Sequence, residues 1–279
     1  MSFTTLASVT DVAAHFDDPH WIVFDCRHDL ADTETGRRAY AQSHIPGARF
    51  VHLDADLSGP KSGTNGRHPL PDPAQFCARL AALGMHKGQQ AVAYDATGGF
   101  YAARLWWMLR WVGHTRAAVL DGGWDAWRKN GLPVTAQLPA ITSGAFNGAA
   151  LNHTVDARFI LDQIGQSQIK VIDARSPDRF RGENETLDPV GGHIPGAINR
   201  FFKDNLTPDG RFKPAAELKR EFSAMLGALP PAQAVHQCGS GVTACHNLLA
   251  MEIAGLSGSK LYPGSWSEWC SDPQRPVAR

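Results

Sequence analysis

The chain has 279 residues, 43% apolar and 19% charged, and its 27 basic and 27 acidic side chains give a formal net charge of zero. That length predicts two domains at about 150 residues each, and the balanced charge excludes a bulk field that would draw in nucleic acid or an anionic membrane. Five scattered cysteines (Cys26, Cys77, Cys238, Cys245, Cys270) argue against a disulfide framework and for a reducing, cytoplasmic setting.

The opening "MSFTTLASVTDVAAHF" has neither the basic start nor the apolar run of a signal peptide. "WIVFDC" then predicts a strand, and "SGPKSGTNGRHPLPD" a glycine-rich loop. "DPAQFCARLAALG" predicts a helix and "AVAYD" a strand. "ARLWWMLRWVG" is the nearest thing to a membrane span, but Arg104 and Arg110 interrupt it well short of the roughly 20 apolar residues required. After the strand "AAVLDGG", residues 133–152 carry no charge and are rich in Pro, Gly, Ala and Thr, which predicts an ordered but irregular linker. Strands are predicted again at "KVIDAR", "AVHQC" and "SKLYPGS", with a helix at "PAAELKREFSAMLGAL". Alternation of this kind predicts an α/β fold with parallel sheets flanked by helices.

The second half repeats the first. Asp25 and Arg27 answer Asp173 and Arg175, and "HIPGA" recurs at His44 and His193. "AVAYDATGGFYAARLWWML" answers "AVHQCGSGVTACHNLLAME", and "LDGGWDAW" answers "YPGSWSEW". The expected division is residues 1–135, a linker over 136–152, and residues 153–279. Elements present in both halves, including the half without a matching cysteine, are expected to be structural: His44, His193 and the two Asp–Arg pairs.

In an open α/β sheet, ligands gather where strands end and helices begin. Cys238 stands at that point, followed by Gly239, Ser240, Gly241, Val242 and Thr243. The glycines permit a curl in which successive N–H groups point inward, and with the helix dipole this should favour a thiolate. The competing reading is a buried, inert thiol at a tight turn. A C-x5-R phosphatase loop is excluded by Ala244, and zinc or haem spacing is absent. No metal or organic cofactor is implied. Cys245 is expected to be a packed core thiol, with a resolving role as the alternative.

These motifs, in this order and duplicated, identify the chain as similar to the two-domain sulfurtransferases of the rhodanese superfamily. "CGSGVTAC" resembles the mercaptopyruvate enzymes more than the thiosulfate enzymes, whose loops resemble "CRKGVT". The resemblance implies a rhodanese fold in each half, with a catalytic second half and an inert first half, where Asp95 replaces the cysteine. It implies a Cys238 persulfide that takes sulfur from 3-mercaptopyruvate, releases pyruvate and delivers to cyanide or to a thiol such as thioredoxin or a small thiol. Thiosulfate is the alternative donor, and a sulfur-carrying module without turnover is a reading of a different class. By motif position Ser240, His68 and Asp54 would assist proton transfer, and Arg179 would bind substrate carboxylate beside the loop residues Gly239, Gly241, Val242 and Thr243. The family has a second arginine shortly before "GHIPG"; here that stretch is "ETLDPVGGHIPG", without one. Arg181 and Arg200 are the candidates to replace it, although an ion-pair role is the favoured expectation for both.

Overall fold

The computed structural model describes residues 2–279. It divides into two units: residues up to Ser58 with Pro71–Asn152 and Pro208–Phe212, and Gly59–Leu70 with His153–Thr207 and Lys213–Arg279. The glycine-rich segment 59–70 thus folds with the second unit although it lies in the first half of the chain.

The first unit holds a five-stranded sheet of β1 (Leu6–Ala7), β2 (Trp21–Asp25), β3 (Arg49–Phe50), β4 (Gln90–Tyr94) and β5 (Ala117–Leu120), in the order β1-β5-β4-β2-β3. The second holds β6 (Lys170–Asp173), β7 (Ile198–Asn199), β8 (Ala234–Gln237) and β9 (Lys260–Leu261), in the order β7-β6-β8-β9. Every pairing is parallel. The smaller sheet keeps a trace of the fifth strand: Thr154 bridges Leu261 in parallel, as Leu6 pairs with Val119 in the other unit. All six strands read from the sequence are present. The three additional ones, β1, β3 and β7, are two residues long, too short for a hydrophobic period to register; β9 is equally short and was read only within the longer stretch "SKLYPGS".

Parallel strands covered on both faces bury every side chain, and β4 and β8 are buried along their whole length. Each feeds a loop and then a buried helix, Ala102–Trp111 after β4 and Ala244–Ile253 after β8. Helices nearer the surface show one apolar stripe. Pro73–Ala82 starts behind Asp72, whose carboxylate accepts from the Ala74 and Gln75 N–H groups, and it buries Phe76, Cys77 and Leu80. Ala215–Leu226 buries Leu218, Phe222 and Leu226, at four-residue spacing. Residues 136–152 form no helix or strand but are pinned to the first unit, Gly144 N–H on Ala81 O at 2.7 Å and Leu151 N–H on Trp111 O at 2.8 Å. No helix among the described residues is long and apolar enough to cross a membrane.

Candidate active site

Cys238 follows the last residue of β8 and is 2% exposed. Its carbonyl accepts from Trp266 N–H at 2.9 Å, and its N–H donates to Ser265 Oγ at 3.1 Å. Ser265 is held at φ 55°, a left-handed conformation that costs a non-glycine residue roughly 1–2 kcal/mol. Its hydroxyl also donates to Tyr262 O at 2.9 Å, so one strained residue fixes both ends of the turn around the thiol. The next carbonyl, Gly239 O, accepts from Ser267 N–H at 2.9 Å. Gly241 turns the loop at φ 76°, and a Cβ there would lie 2.4 Å from Pro263 O, which no side chain tolerates. Val242 and Thr243 are buried, and Thr243 stands at the N-terminus of the helix Ala244–Ile253.

The equivalent loop of the first unit shows what this backbone is shaped to hold. Gly98 turns at φ 74°, matching Gly241, and Asp95 O accepts from Trp124 N–H at 2.8 Å, matching Cys238 and Trp266. The Asp95 carboxylate sits inside the curl. It accepts from the N–H groups of Thr97, Gly99, Tyr101 and Ala102 at 2.8, 3.0, 2.7 and 2.9 Å. Four converging N–H groups at a helix start make an anion cradle.

Ser240 Oγ and His68 Nδ1 are 2.7 Å apart, both side chains buried. The segment carrying His68 is closed by Gly59 N–H on Pro69 O at 2.8 Å and docked by Arg67 N–H on Ser267 Oγ at 3.0 Å. It approaches Gly264 so closely that only glycine fits at Gly66, where a Cβ would be 2.7 Å from Gly264 O. The structure thus brings Ser240 and His68 together. Asp54 belongs to the first unit, in the helix Leu53–Asp56, with an oxygen 3.9 Å from His28 Nε2. His52 starts that helix; its Nδ1 accepts from the Asp54 and Ala55 N–H groups at 3.1 and 3.3 Å, and its Nε2 lies 3.1 Å from Thr33 O. Burial, and next to it the His52 ring, hold the His28 pKa below its usual range.

Arg179 leaves the short helix Pro177–Phe180 and turns toward the loop: a methyl group on Gly239 would lie 3.5 and 3.6 Å from its two Nη atoms. The same methyl group would be 2.8 Å from Nη2 of Arg67, a residue the sequence did not single out. Arg179 is bound bidentately by Glu185 at 3.1 and 2.8 Å and by Asp188 at 3.2 Å, and Asp188 also pairs with Arg67. Burial opposes the charge of Glu185, but Arg179 and the Leu187 N–H outweigh it and hold its carboxyl below the usual range. Asp188 is pushed up by burial against the opposing pull of Arg67. Ser265 was likewise overlooked; its one signal in the sequence is that it stands opposite Gly123 in the repeat, a hydroxyl where the first unit has none.

The duplicated residues are structural. Arg27 grips Asp25 with Nε bonds of 3.0 Å and an Nη2 bond of 2.6 Å; Arg175 grips Asp173 at 3.1, 3.0 and 2.6 Å. Each guanidinium lies over a tryptophan, Trp124 at 4.4 Å and Trp266 at 4.7 Å. His44 stacks on Tyr40 and His193 on Phe180, with centroids 4.0 and 3.8 Å apart. Arg181 pairs with exposed Glu183 at 2.8 Å, and Arg200 is held by Asn205 and by Glu221 at 2.5 Å. Cys245 is fully buried, its thiol 3.4 Å from Gly241 O.

A rhodanese-like domain model matches residues 8–130 and 156–272. Over 281 residues the chain is 47% identical to a Pseudomonas aeruginosa protein named as a probable 3-mercaptopyruvate sulfurtransferase, covering 100% of this chain and 99% of that one. It is 35% identical over 256 residues to the thiosulfate sulfurtransferase of Bos taurus, covering 88% of this chain and 84% of that one. Its structure is similar to that of SseA from Escherichia coli, described as a 3-mercaptopyruvate sulfotransferase, with a TM-score of 0.83, 31% identity, and coverage of 95% and 99%. With a family model matching both halves and sulfurtransferases similar to it along nearly their whole length, the chain belongs to the rhodanese family of tandem-domain sulfurtransferases.

Proposed function

We propose that this protein transfers sulfane sulfur from 3-mercaptopyruvate to a thiol or cyanide through a Cys238 persulfide, releasing pyruvate. The observation that carries this reading is the pair of matched loops: the backbone that wraps a carboxylate at Asp95 places a thiol at Cys238. A loop of this shape is suited to stabilise the negative charge that develops on sulfur during transfer.

The Cys238 thiolate attacks the donor sulfur. The carbon–sulfur bond breaks, its electron pair passes into the enolate of pyruvate, and a proton completes the methyl group. Ser240 and His68, 2.7 Å apart, are suited to deliver that proton, and the family pattern gives Asp54 a part in the same proton transfer. An acceptor thiolate then attacks the outer sulfur and leaves with it, returning Cys238 as thiolate. Gly239 and Ser240 replace the two cations of the thiosulfate-type loop. The site then has less to offer a dianion, and a keto acid with one carboxylate is the better match. The first unit, with Asp95 filling its cradle, is assigned no transfer step.

Intact mass after brief incubation with 3-mercaptopyruvate or thiosulfate, without acceptor, tests this. One added sulfur from mercaptopyruvate, removed by cyanide and absent in Cys238→Ser, is expected. Loading by thiosulfate alone reverses the donor assignment, and loading by neither leaves a carrier or binding module.

A further inference from the structure

Two guanidinium groups converge beside the nucleophile, from segments far apart in sequence. Arg67 comes from the segment 59–70 and Arg179 from the helix Pro177–Phe180. Both grip one carboxylate, Asp188, whose side chain is 2% exposed, and both approach Gly239, the residue after Cys238. Arg67 uses Nη1 for Asp188 and for Leu187 O at 3.4 Å, and its Nη2 faces Gly239. Arg179 spends Nε and Nη2 on Glu185 and Asp188 and leaves Nη1 directed toward the same glycine. A carboxylate gripped by two arginines is the arrangement a keto-acid donor requires. Here an internal carboxylate already occupies part of it.

The geometry points to Arg67 as the second cation for the donor carboxylate, acting with Arg179, and to Asp188 as the internal counterion that poises both arginines and competes with substrate for them. This assignment rests on the mercaptopyruvate reading above. Arg181 and Arg200 are held elsewhere, by Glu183 and by Asn205 with Glu221. Arg67 is instead delivered by the docking that brings His68 to Ser240, so donor binding and proton transfer depend on one segment.

Steady-state kinetics of Arg67→Ala, Arg67→Lys and Asp188→Asn test it, using 3-mercaptopyruvate and mercaptoacetone, the same thiol ketone without the carboxylate. In Arg67→Ala the KM for mercaptopyruvate should rise on the order of tenfold (about 1.4 kcal/mol). The kcat should change far less, mercaptoacetone kinetics should be unmoved, and Arg67→Lys should recover part of the loss. Asp188→Asn should lower the KM for mercaptopyruvate. An unchanged KM in Arg67→Ala, or equal losses with both donors, overturns the assignment while the persulfide reading stands. A wild-type protein that never loads from mercaptopyruvate overturns both.

Discussion

The two loops at the ends of β4 and β8 share a backbone and differ in what it encloses. Both turn at a glycine near φ 75°, at 74° in Gly98 and 76° in Gly241, and both anchor the first carbonyl on a tryptophan N–H. In the first unit the enclosed group is a carboxylate bonded by four N–H groups, which fills the cradle. In the second the matching residue is Cys238, whose backbone N–H is held by a serine forced into the left-handed conformation that its twin, Gly123, adopts at the same φ of 55°. Duplication supplied the turn twice: one copy encloses Asp95, and the other presents Cys238 with the Ser240–His68 pair in the same unit, which is what the proposed transfer uses.

Exchanging the enclosed groups is the severest test of this comparison. Cys238→Asp copies the first loop into the second and should abolish sulfur transfer, by more than about a thousandfold, because a carboxylate cannot carry the sulfur. Its thermal stability should be kept or raised, since the carboxylate finds the same N–H groups; a marked fall in Tm would mean the two cradles differ. Asp95→Asn replaces one accepting oxygen of the first loop with an amide NH2 and should cost about 2–3 kcal/mol in denaturant unfolding, because the NH2 cannot accept from the N–H groups that oxygen holds. Sulfur transfer by the folded protein should be unaffected. Asp95→Cys should yield no second persulfide by mass, as the first loop has Thr97 and Gly99 where the second has Ser240 and Val242.

A subtler contrast lies one strand residue deeper, where His236 of β8 stands opposite Ala93 of β4 in the repeat. Burial alone pushes the His236 pKa down to about 3, from an ordinary 6.5, with Nε2 3.0 Å from Met251 Sδ. The folded state keeps this ring neutral while the unfolded chain takes up a proton below pH 6.5. Stability is therefore fully present above that pH and lost as pH falls from 6.5 toward 3. At about 1.4 kcal/mol per pH unit, roughly 2 kcal/mol should be gone by pH 5. Urea unfolding from pH 7 to pH 5 checks this: a His236→Ala variant, copying the first unit, should show a shallower decline even if it starts less stable. The smallest effect on stability is expected for Ser265→Gly. It loses one hydrogen bond to Cys238 but relieves the left-handed strain, and the two terms, each about 1 kcal/mol, nearly cancel. Activity should nonetheless fall severalfold, because the nucleophile's backbone loses its anchor; unchanged kcat would make Ser265 a packing residue only.

Much of this molecule could be read from the chain alone. Strands β2, β4, β5, β6 and β8 are compact apolar runs bounded by turn residues, β9 lies inside the stretch "SKLYPGS", the duplication aligns the two loops, and the stop of β8 at Cys238 marks a position where α/β sheets present chemistry. Strands β1, β3 and β7 were not legible, since two residues carry no period; β9, equally short, was read only from the stretch around it. The irregular stretch 136–152 was visible as a break in pattern, but its anchoring to Ala81 and Trp111 was not.

The sequence by itself thus determined the local and repeated features: the α/β alternation, the cysteine at a strand end, the glycines that let the loop curl, and the aspartate that replaces the thiol in the other copy. These follow from periodicity, residue chemistry and comparison at a nearly fixed offset. Only the tertiary structure decided the company Cys238 keeps. Ser240 meets His68 across 172 positions, and Arg67 meets Asp188 across 121. The segment carrying both partners folds with the second unit because its backbone docks against Gly264 and Ser267. Contacts of that range depend on how buried surfaces fit together, and neither propensity nor spacing records that fit.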